Sequence, residues 1–166
     1  VGAVGERALA AVRTESGVER YHAHWGGGDD RLGRVLAGPP DAALRALATA
    51  AWQPRGSAEG PFDRLDYLGT DVVYLVSGRG VTVLLPVWAG FGADPTAGVL
   101  VRVETVAGCR ALRAACRFCR DLFHEALARD LLDPALARAL FALAVGLLAP
   151  RGRVHTGRGE REMGRL

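Results

Sequence analysis

The sequence predicts an α+β domain, a mostly antiparallel five-stranded sheet with helices packed on one face, in the order ββ-α-βββ-αα. Three observations lead there. Strand-like runs bounded by turn residues dominate up to Glu104. From Gly108 the apolar period changes from two to 3.6. Strands and helices are grouped rather than alternated, which points to helices segregated on one side of an antiparallel sheet. With 166 residues, 49% hydrophobic and 23% charged, residues 1–150 make one globular domain and residues 151–166 a basic, flexible tail.

Residues 7–13 read as the first strand, Glu15-Ser16-Gly17 as a turn and residues 18–25 as the returning strand of a hairpin. Pro39-Pro40-Asp41 announces a helix over residues 42–52, with Asp41 as cap and Leu44, Leu47 and Ala51 at apolar spacing. Residues 53–64 read as a loop. Residues 71–76 and 81–88 are strands joined by Ser77-Gly78-Arg79-Gly80. Both are almost continuously apolar, as expected of central strands covered on both faces, and Pro86 removes a ladder donor. A glycine-rich stretch then leads to a fifth strand over residues 99–104.

The helix over residues 109–130 has two sides. Leu112, Cys116, Cys119, Leu122, Phe123 and Ala126 share an apolar face, and Arg110, Arg113, Arg117 and Arg120 share the other, with His124 behind them. Asp133-Pro134 starts a second helix over residues 135–149, apolar almost all round, with Arg138 its only charge. Such a helix is either buried centrally or is the interface of a homodimer. It is too short to span a bilayer, and no other segment suggests a membrane.

The densest chemistry lies at Tyr21–Asp30. In a strand His22 and His24 point to one face, and neutral imidazoles with carboxylates make good ligands for a divalent metal. His22, His24, Asp29 and Asp30 are therefore the candidate metal set of a hydrolase, with Trp25 lining its pocket. The alternative is a pair of histidines hydrogen-bonded at a strand end. No other cofactor is predicted. Cys109, Cys116, Cys119 and His124 do not make a zinc site on one helix, because Cys109 and His124 would stand about 22 Å apart. Three cysteines within eleven residues give no disulfide framework, which fits a cytoplasmic protein.

All 21 basic residues are arginine, so arginine abundance itself is compositional bias. The net charge of +3 resides in the tail, which carries five arginines against two glutamates, while the body is neutral. The stripe of Arg110, Arg113, Arg117 and Arg120, joined to Arg151, Arg153 and Arg158 of the tail, is the candidate nucleic-acid surface. A solvated face with ion pairs such as Arg117–Asp121 is the competing reading. Phosphate-loop and nucleophile-elbow patterns are absent from the sequence.

Residues 5–13, followed by Tyr21-His22-Ala23-His24-Trp25-Gly26, resemble the opening of a family of small uncharacterised haloarchaeal proteins, a domain of unknown function. That family begins with a G-x-R-A-L-V-A-Y-E-R strand and a second strand ending Y-S-H-W-G. Residues 72–76, 85–88 and 98–101 resemble its strand–turn–strand core. The resemblance implies a source and a fold. It matches at His24, Trp25 and Gly26 but not at His22, and the neutral body departs from the acidity expected in a salt-loaded cytoplasm. The leading expectation is a small, non-catalytic binding or interaction protein. A metal-dependent hydrolase and a nucleic-acid-associated protein are the alternatives.

Overall fold

The computed structural model describes residues 6–48, 52–58, 60–91, 96–148, 155–156 and 159–160. In chain order the elements are β1 (Ala8–Thr14), β2 (Gly17–Ala23), α1 (Asp29–Ala37), α2 (Pro40–Ala48), β3 (Gln53–Ala58), β4 (Val72–Ser77), β5 (Gly80–Trp88), β6 (Gly98–Arg102), α3 (Val106–Ala128), α4 (Pro134–Leu148), β7 (His155–Thr156) and β8 (Gly159–Glu160). The α+β class holds, with the sheet in the order β3-β2-β1-β4-β5-β6-β7-β8. Six strands form its body and a hairpin of two-residue strands extends one edge.

Both expected hairpins form around glycine. Thr14 faces Gly17 and Ser77 faces Gly80 across two-residue turns. Gly17 and Gly80 have φ of 135° and 123°, a region that side chains resist. The sheet is mostly antiparallel, as expected, but mixed, because β1 and β4 pair in parallel at its centre, Ala8 opposite Val72 through Val12 opposite Val76. A local clamp fixes that pairing. The Arg7 N–H donates to Asp71 Oδ2 at 2.7 Å, and the N–H groups of Asp71 and Val72 donate back to the Arg7 carbonyl.

Two elements depart from the sequence expectation. Residues 53–64 are not all loop, since β3 pairs with β2 over Gln53–Ala58. Pro54 and Gly56 disguise it, and they are tolerated because β3 is an edge strand with a bulge in its partner. The second departure is α1, a helix where Asp29 and Asp30 occupy the first turn and Leu32 and Val35 are buried. Part of the tail also adds to the sheet, with Val99 opposite Thr156, while the rest of residues 149–166 lies outside the described residues.

All four helices cover one face of the sheet. Tyr74 of β4, Leu85 of β5 and Val101 of β6 pack there against Leu32, Leu47, Cys116 and Phe141. The opposite face is covered by segment 60–71 rather than by helices: Leu65 and Tyr67 bury Val73, Leu84 and Leu100. This explains why the central strands are apolar on both sides. After β2 the chain passes so close to the sheet that a Cβ on Gly26 would lie 2.8 Å from Ala8 Cβ and 3.0 Å from Ala23 Cβ. The buried Tyr74 hydroxyl donates to the Gly26 carbonyl at 2.9 Å. Gly26→Ala is therefore expected to cost about 1–3 kcal/mol by overpacking. Thermal unfolding checks this, and an unchanged midpoint would show that the strand end relaxes freely.

Candidate functional site

His22 and His24 do share a face. β2 pairs with β1 so that His22 sits opposite Leu9, on the side of the sheet away from the helices. The two rings meet edge-on with centroids 4.9 Å apart. Asp29 and Asp30 do not join them. They lie in α1 on the helix side, where Asp29 accepts hydrogen bonds from the Arg110 guanidinium of α3. Trp25 is 69% exposed and lines no part of the histidine cavity. Among the described residues, no group of three or more His, Cys, Asp or Glu side chains is placed to hold a metal ion.

What surrounds the histidines is arginine. A cavity of about 450 Å³ lies between the β1–β2–β3 side of the sheet and segment 64–70. The sheet side contributes Arg7, Leu9, Arg20, His22, His24 and Arg55, and the segment contributes Arg64, Leu65, Asp66, Gly69 and Thr70. Asp66 is the single carboxylate among the described residues that line the cavity, and its Oδ1 accepts the N–H groups of Leu68 and Gly69 at 3.0 and 2.8 Å. Burial, with Arg55, His24 and Arg7 adding to it, holds the His22 imidazole below the ordinary histidine value. Its Nδ1 is buried without a hydrogen-bond partner among the described residues, and so is Nε of Arg20.

Three of the four stripe arginines on α3 form ion pairs, two of them with acids from distant elements. Arg110 pairs with Asp29, Arg113 with Glu6 at 3.5 Å, and Arg120 with Asp121 at 3.3 Å. Arg113 also donates to the Asp71 carbonyl at 3.0 Å. The ion pair to Asp121 thus comes from the adjacent Arg120 rather than from Arg117, and Arg117 is in no ion pair among the described residues. His124 stacks on Trp88, with centroids 5.9 Å apart, instead of extending the stripe. Arg151, Arg153 and Arg158 lie outside the described residues. Cys109 and Cys116 are buried in the core, where burial pushes the Cys116 thiol up to about 11.

α4 is neither wholly buried nor wholly exposed. Ala137, Phe141 and Val145 are sealed in the core. Leu136, Leu143 and Leu147 are 45%, 49% and 73% exposed. Leu140 completes their stripe, half-buried between them. On the neighbouring helix α3, Phe118 and Leu122 are also exposed. Among the described residues no helix is long and apolar enough to cross a membrane.

Sequence reasoning named the histidines but missed the arginines around them. Arg7, Arg20, Arg55 and Arg64 are dispersed through the chain, and only the pairing of three strands and the folding-back of one segment bring them together. Comparisons of the chain with protein-family models, with curated proteins and with solved structures return no match.

Proposed function

We propose that the chain is a small binding and interaction protein without a reaction of its own, working as a homodimer assembled through α4. One observation supports this reading: Leu136, Leu140, Leu143 and Leu147 are spaced four, three and four residues apart on the side of α4 turned from the core. That is the spacing of a coiled-coil seam, and large apolar side chains left together in water mark a contact surface. A second copy is the occupant that fits. The stripe carries no charge to select a charged partner, and a two-fold axis sets the same leucines against one another. The resemblance of residues 21–26 to haloarchaeal proteins of unknown function adds a proposed source but no reaction.

Sedimentation velocity tests the proposal. The expected result is a dimer at high micromolar concentration that becomes a monomer with an unchanged circular dichroism spectrum in the doubly substituted Leu143→Glu, Leu147→Glu protein. A wild-type chain that remains monomeric at that concentration would remove the homodimer.

A further inference from the structure

We propose that the cavity on the helix-free face of the sheet binds a small phosphate monoester, held by the guanidinium groups of Arg7, Arg20, Arg55 and Arg64 and bordered by His22 and His24. Arginine bias explains why each of these cations is arginine. It does not explain why four of them, one preceding β1, two on β2 and β3, and one on the covering segment, line one cavity. Nor does it explain their lack of counterions. Arg110, Arg113, Arg120 and Arg129 all form ion pairs, whereas none of the four cavity arginines does among the described residues. Asp66, the one carboxylate among the described lining residues, commits its Oδ1 to the backbone of its own turn. Gathering like charges without neutralising them opposes folding, and a bound anion removes that opposition.

Two further observations point to an absent acceptor. Arg20 Nε is a buried donor with no partner among the described residues, in a residue whose Nη1 already donates to the Asp63 carbonyl at 2.6 Å. Buried donors in native proteins are nearly always satisfied. Arg64, at the cavity's opposite wall, has φ of 53°, a left-handed conformation uncommon outside glycine and often retained where a side chain must be aimed.

The geometry also selects among anions. A carboxylate is planar and offers two oxygens, whereas a phosphate monoester offers three terminal oxygens in a tetrahedral arrangement. Guanidinium forks approaching from both the sheet and the covering segment suit the latter. Inorganic phosphate would leave most of about 450 Å³ unfilled. Leu9 and Leu65 give that remaining space an apolar wall for the organic part of an ester.

The test uses isothermal titration calorimetry on the full chain at constant ionic strength, with a nucleoside monophosphate, its parent nucleoside and inorganic phosphate as probes. The monophosphate is expected to bind at least tenfold more tightly than inorganic phosphate, and the nucleoside not to bind. Arg55 and Arg64 are exposed and their substitution spares the core, so Arg55→Gln and Arg64→Gln should each weaken binding about tenfold. Arg117→Gln, outside this cavity, should leave it unchanged. In the wild-type chain, monophosphate should shift the imidazole resonances of His22 and His24. The Leu143→Glu, Leu147→Glu protein should bind as the wild type does, which separates this site from dimer assembly. Equal binding of ester and inorganic phosphate would overturn the ester assignment. No binding of either at millimolar concentration, or binding indifferent to Arg55 and Arg64, would overturn the site.

Discussion

Replacing Phe141 by alanine is expected to destabilise the protein by about 3–5 kcal/mol, the usual range for deleting a buried ring. Phe141 is fully buried and stands edge-on to two other rings, 5.5 Å from Phe91 and 6.0 Å from Phe123 by centroid. Those two are themselves 5.9 Å apart, so the three rings form a triangle joining α4, α3 and the chain leaving β5. The position cannot collapse easily. Its neighbours on the buried side of α4 are only Ala137 and Val145, so no large side chain is free to refill the space. Urea denaturation gives the loss directly, and Leu147→Ala, 73% exposed in the protomer, serves as the contrast with an intrinsic effect near zero. The comparison must be made across protein concentrations, because a dimer's midpoint rises with concentration. A Phe141→Ala cost below about 1.5 kcal/mol would mean that α4 is not anchored through this ring cluster.

What the residues made legible, and what they hid, divides along sequence separation. The two hairpins announce themselves locally, because the glycine each turn needs stands beside period-two strands, as at Gly17 and Gly80. The period-3.6 runs that became α3 and α4 are equally local. So is the shared face of His22 and His24, which needs only the pleat. The parallel pairing of β1 with β4 is another matter. It depends on a clamp between Arg7 and Asp71, sixty-four positions apart, and no local pattern distinguishes it from an antiparallel arrangement. β3 was hidden because Pro54 and Gly56 argue against a strand everywhere except at an edge.

The same division governs the candidate sites. The helical spacing of Arg110, Arg113 and Arg120 was visible, but the acids that neutralise the first two, Asp29 and Glu6, come from distant elements. Conversely, the arginines around His22 have no spacing at all. Their common feature is the absence of an ion pair among the described residues, and that is a property of the folded chain alone. Charge in this protein is therefore better read by what each arginine faces than by how many there are.

Alkaline conditions should destabilise the fold well before arginine begins to titrate. Burial pushes the Tyr67 hydroxyl up to about 12 and the Cys116 thiol up to about 11, and raises Tyr74 and Cys109 as well. In the unfolded chain these groups ionise near their ordinary values, about 8.5 for cysteine and about 10 for tyrosine. Below that range both states are protonated and the groups contribute their full stability. As pH rises through it, the unfolded chain releases protons that the native protein still holds, so stability falls with pH until the native values are reached. The window opens near pH 9 and extends to about pH 12. At roughly 1.4 kcal/mol per pH unit of displacement, Tyr67 and Cys116 together account for a loss of about 3 kcal/mol even after halving for residual solvent access. Denaturant titrations at successive pH values should show that decline, and Cys116→Ala, compared with its own value at pH 8, should flatten the part between about pH 9 and 11. Ultraviolet titration offers an independent reading: Tyr67 and Tyr74 should ionise together with unfolding rather than before it. A free energy of unfolding that stays level to pH 11 would show that these side chains meet solvent in the native protein, and the packing of segment 60–71 over Val73, Leu84 and Leu100 would then have to be looser than their burial requires.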